Sequence, residues 1–268
     1  MITAGVDIGS VAAKAVVLDT ARMAVIGSSV LPTGWNHKQA FESALAAAIS
    51  SAGLEPDAVR AVTGTGYGRV AVKNSFPVQS EIRCHAKGAA FLFPGAAGVI
   101  DIGGQDSKAV RLDASGSVAD FVMNDKCAAG TGRFIQMVAT ILEMDLDEFS
   151  LAASRGKPAS ISSMCAVFAE SEIVGLLARQ VSPDDIAAGV TLSVAERTAH
   201  LARRLGIAGP CVFSGGLAAS ASMSEALSRH LGQAVLRPEE PQLTGALGAA
   251  LIAGQNESAI KTHDSAKA

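Results

Sequence analysis

A fourteen-residue unit occurs twice in this chain, and nothing else in the sequence constrains the fold as tightly. Residues 6–19 read Val-Asp-Ile-Gly-Ser-Val-Ala-Ala-Lys-Ala-Val-Val-Leu-Asp, and residues 100–113 read Ile-Asp-Ile-Gly-Gly-Gln-Asp-Ser-Lys-Ala-Val-Arg-Leu-Asp. The register holds without a gap, and eight of the fourteen positions are identical, among them Asp, Gly, Lys and the closing Asp. Each copy has the same local physics. A short apolar strand ends in Asp-Ile-Gly, small residues turn, and a second β-rich run follows. Gly9 and Gly103 let the backbone turn sharply and come close to a ligand. Amide N–H groups in such a turn converge on an anion. Asp7 and Asp101 fall at strand ends, where a carboxylate can hold hydrated Mg²⁺. Two such hairpins facing each other would grip a polyphosphate from both sides.

The punctuation around the repeat is that of an α/β protein with two lobes about a cleft. An Ala-rich helix is predicted over residues 40–52, ending at Gly53, and a strand over 59–63. Helical periodicity follows over 133–142, 170–180 and about 186–205. Residues 212–218 read as an apolar strand running into the double-glycine turn Gly215-Gly216. Residues 245–253 read as an Ala-rich helix, and the last dozen residues as a polar tail. The first lobe is predicted over 1–95, with the first hairpin and a C-terminal helix of about 245–260. The second is predicted over 96–244, with the second hairpin, two cysteines of interest and the Gly215-Gly216 turn. Alone, Gly215-Gly216 is a plain strand-to-helix turn. Downstream of two phosphate hairpins it reads as the place where backbone meets adenosine.

Several function classes are excluded by what is missing. No Gly-x-x-x-x-Gly-Lys-Ser/Thr run is present, so the chain is no P-loop ATPase. Gly64-Thr65-Gly66 continues as Tyr67-Gly68-Arg69, which does not fit a dinucleotide fingerprint. With 22 Lys+Arg against 25 Asp+Glu, the net charge is −3, and no basic field exists to hold a nucleic acid or a membrane surface. The longest apolar stretch, about 89–100, is interrupted by Pro94 and Gly95, too short to span a bilayer. No basic n-region precedes the first strand, so the chain is predicted to be cytoplasmic, where disulfides are not expected.

The four cysteines are Cys84, Cys127, Cys165 and Cys211, with no Cys-x-x-Cys pair. Cys84 and Cys211 sit in apolar surroundings and read as small core residues. Cys127, in Asn124-Asp125-Lys126-Cys127-Ala128-Ala129-Gly130-Thr131-Gly132-Arg133-Phe134, precedes a predicted helix. So does Cys165, in Ser162-Ser163-Met164-Cys165-Ala166-Val167-Phe168-Ala169-Glu170-Ser171-Glu172. Free N–H groups at a helix start favour an anion such as a thiolate. Read from the residues alone, a structural role and a metal-ligating role stand about even for these two. A cubane iron–sulfur cluster needs four thiolates. One chain offers two, and a two-fold dimer would offer four around its axis. Glu170 and Glu172 read as capping the helix that follows Cys165, with Mg²⁺ as the other reading.

Through these residues the sequence closely resembles the ATP-dependent activators of 2-hydroxyacyl-CoA dehydratases, a family that also holds the ATPase subunits of class I benzoyl-CoA reductase. The resemblance runs from Gly5 to about Ala253 and is most specific in the run from Asn124 to Phe134. It implies a two-lobed α/β fold of the actin/hexokinase/Hsp70 type, a duplicated RNase H-like architecture. It implies a dimer sharing one 4Fe–4S cluster through Cys127 and Cys165 of each subunit. It places the ATP/ADP phosphates against Gly9, Ser10, Val11, Ala12 and Lys14, and against Gly103, Gly104, Gln105, Asp106 and Lys108. It places Mg²⁺ near Asp7 and Asp101 and adenosine near Gly215 and Gly216. Gln105 or Asp106 is our choice for orienting the attacking water. Residues 11–13 are Val-Ala-Ala where relatives often carry hydroxyls, which leaves more of the phosphate binding to amides and Lys14.

The function this implies is electron delivery. A ferredoxin or flavodoxin reduces the shared cluster, and ATP binding and hydrolysis change the angle between the lobes. The electron then passes to an iron–sulfur dehydratase or reductase acting on an acyl-CoA. The dimer partner is an identical or a homologous subunit, with no nucleic acid or membrane involved. Two other classes remain open on the sequence: a small-molecule kinase of the amino-sugar type with the same fold, and a non-redox ATP-dependent scaffold.

Overall fold

The computed structural model describes the backbone of residues 1–162 and 165–265, and side chains throughout these except at residue 167 and residues 256–265. In chain order the elements are β1 (Ile2–Ile8), β2 (Ala12–Asp19), β3 (Ala24–Pro32), α1 (His37–Ser51), β4 (Val59–Thr65), α2 (Glu81–Leu92), β5 (Gly98–Ile102), β6 (Ser107–Leu112), β7 (Val118–Asn124), α3 (Gly132–Ile141), α4 (Leu146–Arg155), α5 (Ala166–Ala178), α6 (Pro183–Arg204), β8 (Cys211–Ser214), α7 (Ala221–Leu231), β9 (Val235–Leu236) and α8 (Thr244–Ser265). Two compact units result. One comprises Met1–Gly95, Asp113–Val118 and Gln242–Ala268; the other comprises Ala96–Leu112 and Ala119–Pro241. Among the described residues no helix is long and apolar enough to cross a membrane.

The first unit is a four-stranded sheet in the order β3-β2-β1-β4, with β1 antiparallel to β2 and parallel to β4. Alternation along the strands sorts its two faces. Ala4, Val6 and Ile8 of β1 join Ala13, Ala15 and Val17 of β2 in one core with Phe41, Ala44 and Ala48 of α1. Val16 and Leu18 take the opposite face and pack on Ala246, Leu247 and Ala250 of α8. Thr3, Gly5 and Asp7 alternate onto that second face. Thr3 Oγ1 donates to Ala250 O at 2.9 Å, and a Cβ on Gly5 would overlap Ala246 O. The Ala-rich character of α8 therefore has a cause: small residues let helix and strand backbones come close. α1 starts three residues earlier than the apolar pattern predicts, because the Asn36 side chain accepts from Gln39 N and caps it. α8 runs on as helix through Ser265 rather than breaking into a tail, since propagating an established helix costs little where good helix formers continue.

The second unit holds a five-stranded sheet in the order β7-β6-β5-β8-β9. β5 is antiparallel to β6 and parallel to β8. β5 is buried along its whole length, as a central strand covered on both faces should be. Ile100, Ile102 and Phe213 lie in one core with Phe134, Ile135 and Val138 of α3 and Ile186, Val190 and Val194 of α6. α6 carries its own end signals. Ser182 caps it with Pro183 in the first turn, Asp184 and Asp185 follow, and Arg203 and Arg204 close the last turn, matching the helix dipole at both ends.

Candidate functional site

The repeat in the sequence becomes the same hairpin twice. Asp7 pairs across to Lys14, and Asp101 pairs across to Lys108. Lys14 Nζ lies 3.4 Å from Asp7 Oδ2, and Lys108 Nζ lies 3.4 Å from Asp101 Oδ2. Gly9 N donates to Ala12 O at 3.0 Å and Gly103 N to Asp106 O at 2.9 Å, so one bond of the same kind closes each turn. The first turn exposes Val11 at its tip beside a half-buried Ser10, and the second exposes Gln105. Asp106 differs from its counterpart Ala12 by holding Lys108 Nζ at 2.6 Å, which fixes its carboxylate beside the turn.

The duplication reaches further than the fourteen residues. After β4 comes Gly66 with φ +88°, and after β8 comes Gly215 with φ +90°. A Cβ on Gly66 would overlap Asp7 Oδ1, and one on Gly215 would lie 2.6 Å from Asp101 Oδ1. Each hairpin aspartate is thus seated against a left-handed glycine at the end of the neighbouring parallel strand. Gly215 is held to glycine by its own chain. Gly216 is the position with room beside it, since a Cβ there would meet nothing within 4 Å. The signal for Gly66 was present in the sequence as a hydroxyl residue and glycine after a strand, Thr65-Gly66 against Ser214-Gly215.

The aspartates suit a hydrated divalent cation. Asp7 is 3 % exposed, and its Oδ1 has no hydrogen-bond partner. A buried carboxylate oxygen left open calls for a ligand, and a Mg²⁺ shell of water supplies donors to it. Asp101, equally buried, takes Ser214 Oγ at 3.2 Å on Oδ1. Within its own unit, Asp7 therefore has an oxygen that a water of a hydrated Mg²⁺ would satisfy.

What anchors each turn is different. Thr33, just past the end of β3, donates its hydroxyl to Gly9 O at 2.7 Å and its N–H to Val11 O at 3.0 Å. The second turn is anchored instead by α3. Gly132 N donates to Gly103 O at 2.8 Å and Arg133 N to Gly104 O at 3.0 Å. The first two residues of α3 thus bond the second turn directly, and Cys127 lies five residues before that helix.

Cys127 precedes α3, as the sequence predicts, but does not cap it. It precedes a single tight turn over residues 128–130, because Gly130 and the buried Thr131 carry the chain into the helix at Gly132. Asn124 frames it: Cys127 N donates to Asn124 Oδ1 at 3.1 Å, and Asn124 Nδ2 donates to Cys127 O at 2.8 Å. This asparagine was missed by sequence reasoning, although an Asn three residues ahead of a turn is a recognisable signal. Cys165 does stand at the N-cap of α5 and is exposed. Ser163 and Met164 of its motif lie outside the described residues. Glu172 does not cap α5. Its carboxylate reaches back to Ser162, accepting from the N–H at 2.8 Å and the hydroxyl at 2.7 Å, and so ties Ser162 to α5. Glu170 is exposed.

The four thiols divide by surroundings. Burial pushes Cys84 up to about 12 and Cys211 up to about 11, which removes both as thiolates at neutral pH. Cys127 is half-buried and Cys165 exposed, and neither is in a disulfide. Two accessible thiols in one unit fit half of a four-thiolate iron–sulfur site, the other half requiring a second chain.

Comparison with known proteins follows the same line. A family model described as the BadF/BadG/BcrA/BcrD ATPase family matches residues 4–253. The activator of lactoyl-CoA dehydratase from Anaerotignum propionicum is 44% identical over 254 residues, spanning 94% of this chain and 97% of that protein. A benzoyl-CoA reductase subunit from Thauera aromatica is 32% identical over 269 residues, spanning 93% of this chain and 92% of that protein. Among solved structures, the activator of the 2-hydroxyisocaproyl-CoA dehydratase from Clostridium difficile with bound ADPNP matches with a TM-score of 0.92 at 38% identity, covering 98% of both chains. The fold is that of the actin-like ATPases.

Proposed function

The chain belongs to the BadF/BadG/BcrA/BcrD ATPase family, and on that premise we propose that it is an ATP-hydrolysing activator that delivers electrons to an iron–sulfur dehydratase or reductase acting on an acyl-CoA. Amides of the turns at Gly9–Ala12 and Gly103–Asp106 bind phosphate oxygens, with Lys14 and Lys108 supplying positive charge. Asp7 and Asp101 hold Mg²⁺ through water. Gln105, exposed at the tip of its turn, or Asp106 orients the attacking water. Gly216 gives the adenosine room. Two chains, identical or homologous, contribute Cys127 and Cys165 each to a 4Fe–4S cluster, which supplies a one-electron carrier that a ferredoxin or flavodoxin can load.

One observation carries the reading. The carbonyls of Gly103 and Gly104 accept from Gly132 and Arg133 at 2.8 and 3.0 Å, so the turn proposed to feel the γ-phosphate is bonded to the segment that begins at Cys127. A shift of that turn on hydrolysis is passed to the start of α3 by two hydrogen bonds and a five-residue link. Nucleotide can bias the cysteine segment only if the two states of the turn bind ATP and ADP differently, and the loss of the γ-phosphate supplies that difference.

The test is iron and acid-labile sulfide analysis of protein prepared without oxygen. About four irons per two chains are expected for a shared cubane, falling to none in Cys127→Ala and Cys165→Ala while both variants still hydrolyse ATP. Wild-type protein that hydrolyses ATP but binds no iron would overturn the electron-delivery reading.

A further inference from the structure

A cavity of about 320 Å³ opens beside Cys127, lined in part by Lys126, Arg197 and Arg204, with Ser107 and Asn124 contributing polar atoms. Asp125 lines it too, so three cations face one carboxylate. This is a local reversal in a chain whose net charge is −3. Arg197 and Arg204 are seven residues apart on α6 and flank Leu201 on one helical face. The helix dipole accounts for a basic residue in the last turn of α6. It does not account for Lys126 on the loop that faces the helix. Lys126 and Arg204 are exposed and Arg197 is half-buried, so the cationic lining is open to solvent at the mouth.

We propose that this cavity is the docking socket for an acidic electron-carrier protein, which seats carboxylate side chains against Arg197, Arg204 and Lys126. The inference rests on the electron-delivery reading given above, because it takes Cys127 as the place an electron must reach. Charge complementarity selects the occupant. Two arginines seven residues apart on a helix have backbones about 10 Å apart along its axis, a spacing that suits a row of carboxylates. A socket at the rim of the proposed cluster brings the donor to the atom it must serve. Exposed charges of this kind act by steering and register, so their removal lowers association more than it disturbs the fold.

The experiment titrates a bacterial two-cluster ferredoxin of net negative charge into the anoxically prepared dimer by calorimetry, at about 50 and 200 mM salt. Arg204→Gln and Lys126→Gln are each expected to weaken binding about three- to tenfold, and Arg197→Gln/Arg204→Gln together about thirtyfold or more, with a flatter salt dependence. Arg204→Lys should retain most of the affinity, and Arg204→Gln should leave ferredoxin-free ATP turnover unchanged. Equal binding by wild type and all variants overturns the socket. So does binding of inorganic phosphate that these substitutions abolish, which would make the cavity a small-anion site. So does a change of oligomeric mass in Arg204→Gln, which would make it a contact between copies. Iron analysis of the same samples reads the wider function separately. Iron-free protein that binds ferredoxin through these residues sinks electron delivery alone, and iron-loaded protein that ignores ferredoxin sinks the socket alone.

Discussion

Gly215 sits so close beneath Asp101 that a Cβ added to it would lie 2.6 Å from the Asp101 Oδ1. With φ at +90°, the position is closed to an L side chain on conformational grounds as well. Gly216, the next residue, has neither restriction. The two glycines therefore differ: the first seats the aspartate, and the second has open space beside it.

Substituting the two in turn separates these roles. Gly215→Ala is expected to cost about 1–3 kcal/mol of stability through backbone strain and to reduce ATP turnover sharply by displacing Asp101. Gly216→Ala should melt within about 1–2 °C of wild type, as surface changes of no more than about 0.5 kcal/mol do, while raising the KM for ATP. Differential scanning calorimetry beside steady-state kinetics decides it. Equal stability loss in both variants would contradict the division.

The open oxygen of Asp7 gives a second test. Asp7→Asn keeps the shape and removes the charge that would hold magnesium. Lys14 then loses its ion pair, so some loss of apo stability is expected. The informative quantity is the extra thermal shift that Mg²⁺ with ADP produces over ADP alone. That increment should vanish in Asp7→Asn, and turnover should fall about 10²- to 10³-fold, the scale of several kcal/mol of metal-borne charge stabilisation. An unchanged magnesium increment would place the ion elsewhere.

The buried thiols give the chain an alkaline limit. Cys84 is held near 12 and Cys211 near 11, above an ordinary thiol, because burial opposes the thiolate. Below about pH 9 the thiol is protonated in both folded and unfolded chains, and this contribution is constant. Above it the unfolded chain releases protons that the folded chain keeps, so stability falls as pH rises from about 9 towards 12. Urea melts at about pH 8, 9 and 10 should show the decline. In Cys84→Ala the decline should be shallower, although its stability at the lowest pH will be lower by the cost of the lost sulfur. A decline as steep as wild type would assign the alkaline limit to other groups.

The twin hairpins were legible because their constraint is local. Asp, Gly and Lys at fixed spacing across a tight turn leave a mark in fourteen consecutive residues. Thr65-Gly66 and Ser214-Gly215 obey the same geometry but lie at different distances from their aspartates, 59 and 114 residues downstream of Asp7 and Asp101 for the two glycines, so no gapless comparison brings them together. Helix starts were blurred where a polar cap precedes the apolar pattern, as Asn36 does ahead of α1. The role of Glu172 was misread for a related reason. A carboxylate in a helix near a cysteine looks like a cap, whereas its partner, Ser162, lies ten residues back. The cationic socket was invisible in sequence because Lys126 and Arg197 are 71 residues apart and meet only through the packing of α6 on the sheet.

The frame around Cys127 supplies the last test. Asn124 is the residue that grips both ends of the cysteine's backbone, receiving its N–H at 3.1 Å and donating to its carbonyl at 2.8 Å. Asn124→Ala removes both bonds, each worth about 1 kcal/mol, and loosens the turn between the strand end and α3. Asn124→Asp keeps the acceptor for Cys127 N and loses the donor to Cys127 O. If the frame exists to aim the thiol, iron should bleach faster in air or with chelator in the order Asn124→Ala, Asn124→Asp, wild type. ATP turnover should change little, because the bonds from Gly132 and Arg133 to the turn at Gly103 and Gly104 lie beyond the loosened segment. A purely structural role predicts something else: a drop in melting temperature for both variants with chelation rates unchanged. The chelation rate, read as the fading of cluster absorbance, is therefore the measurement that separates positioning of the thiol from general support of the fold.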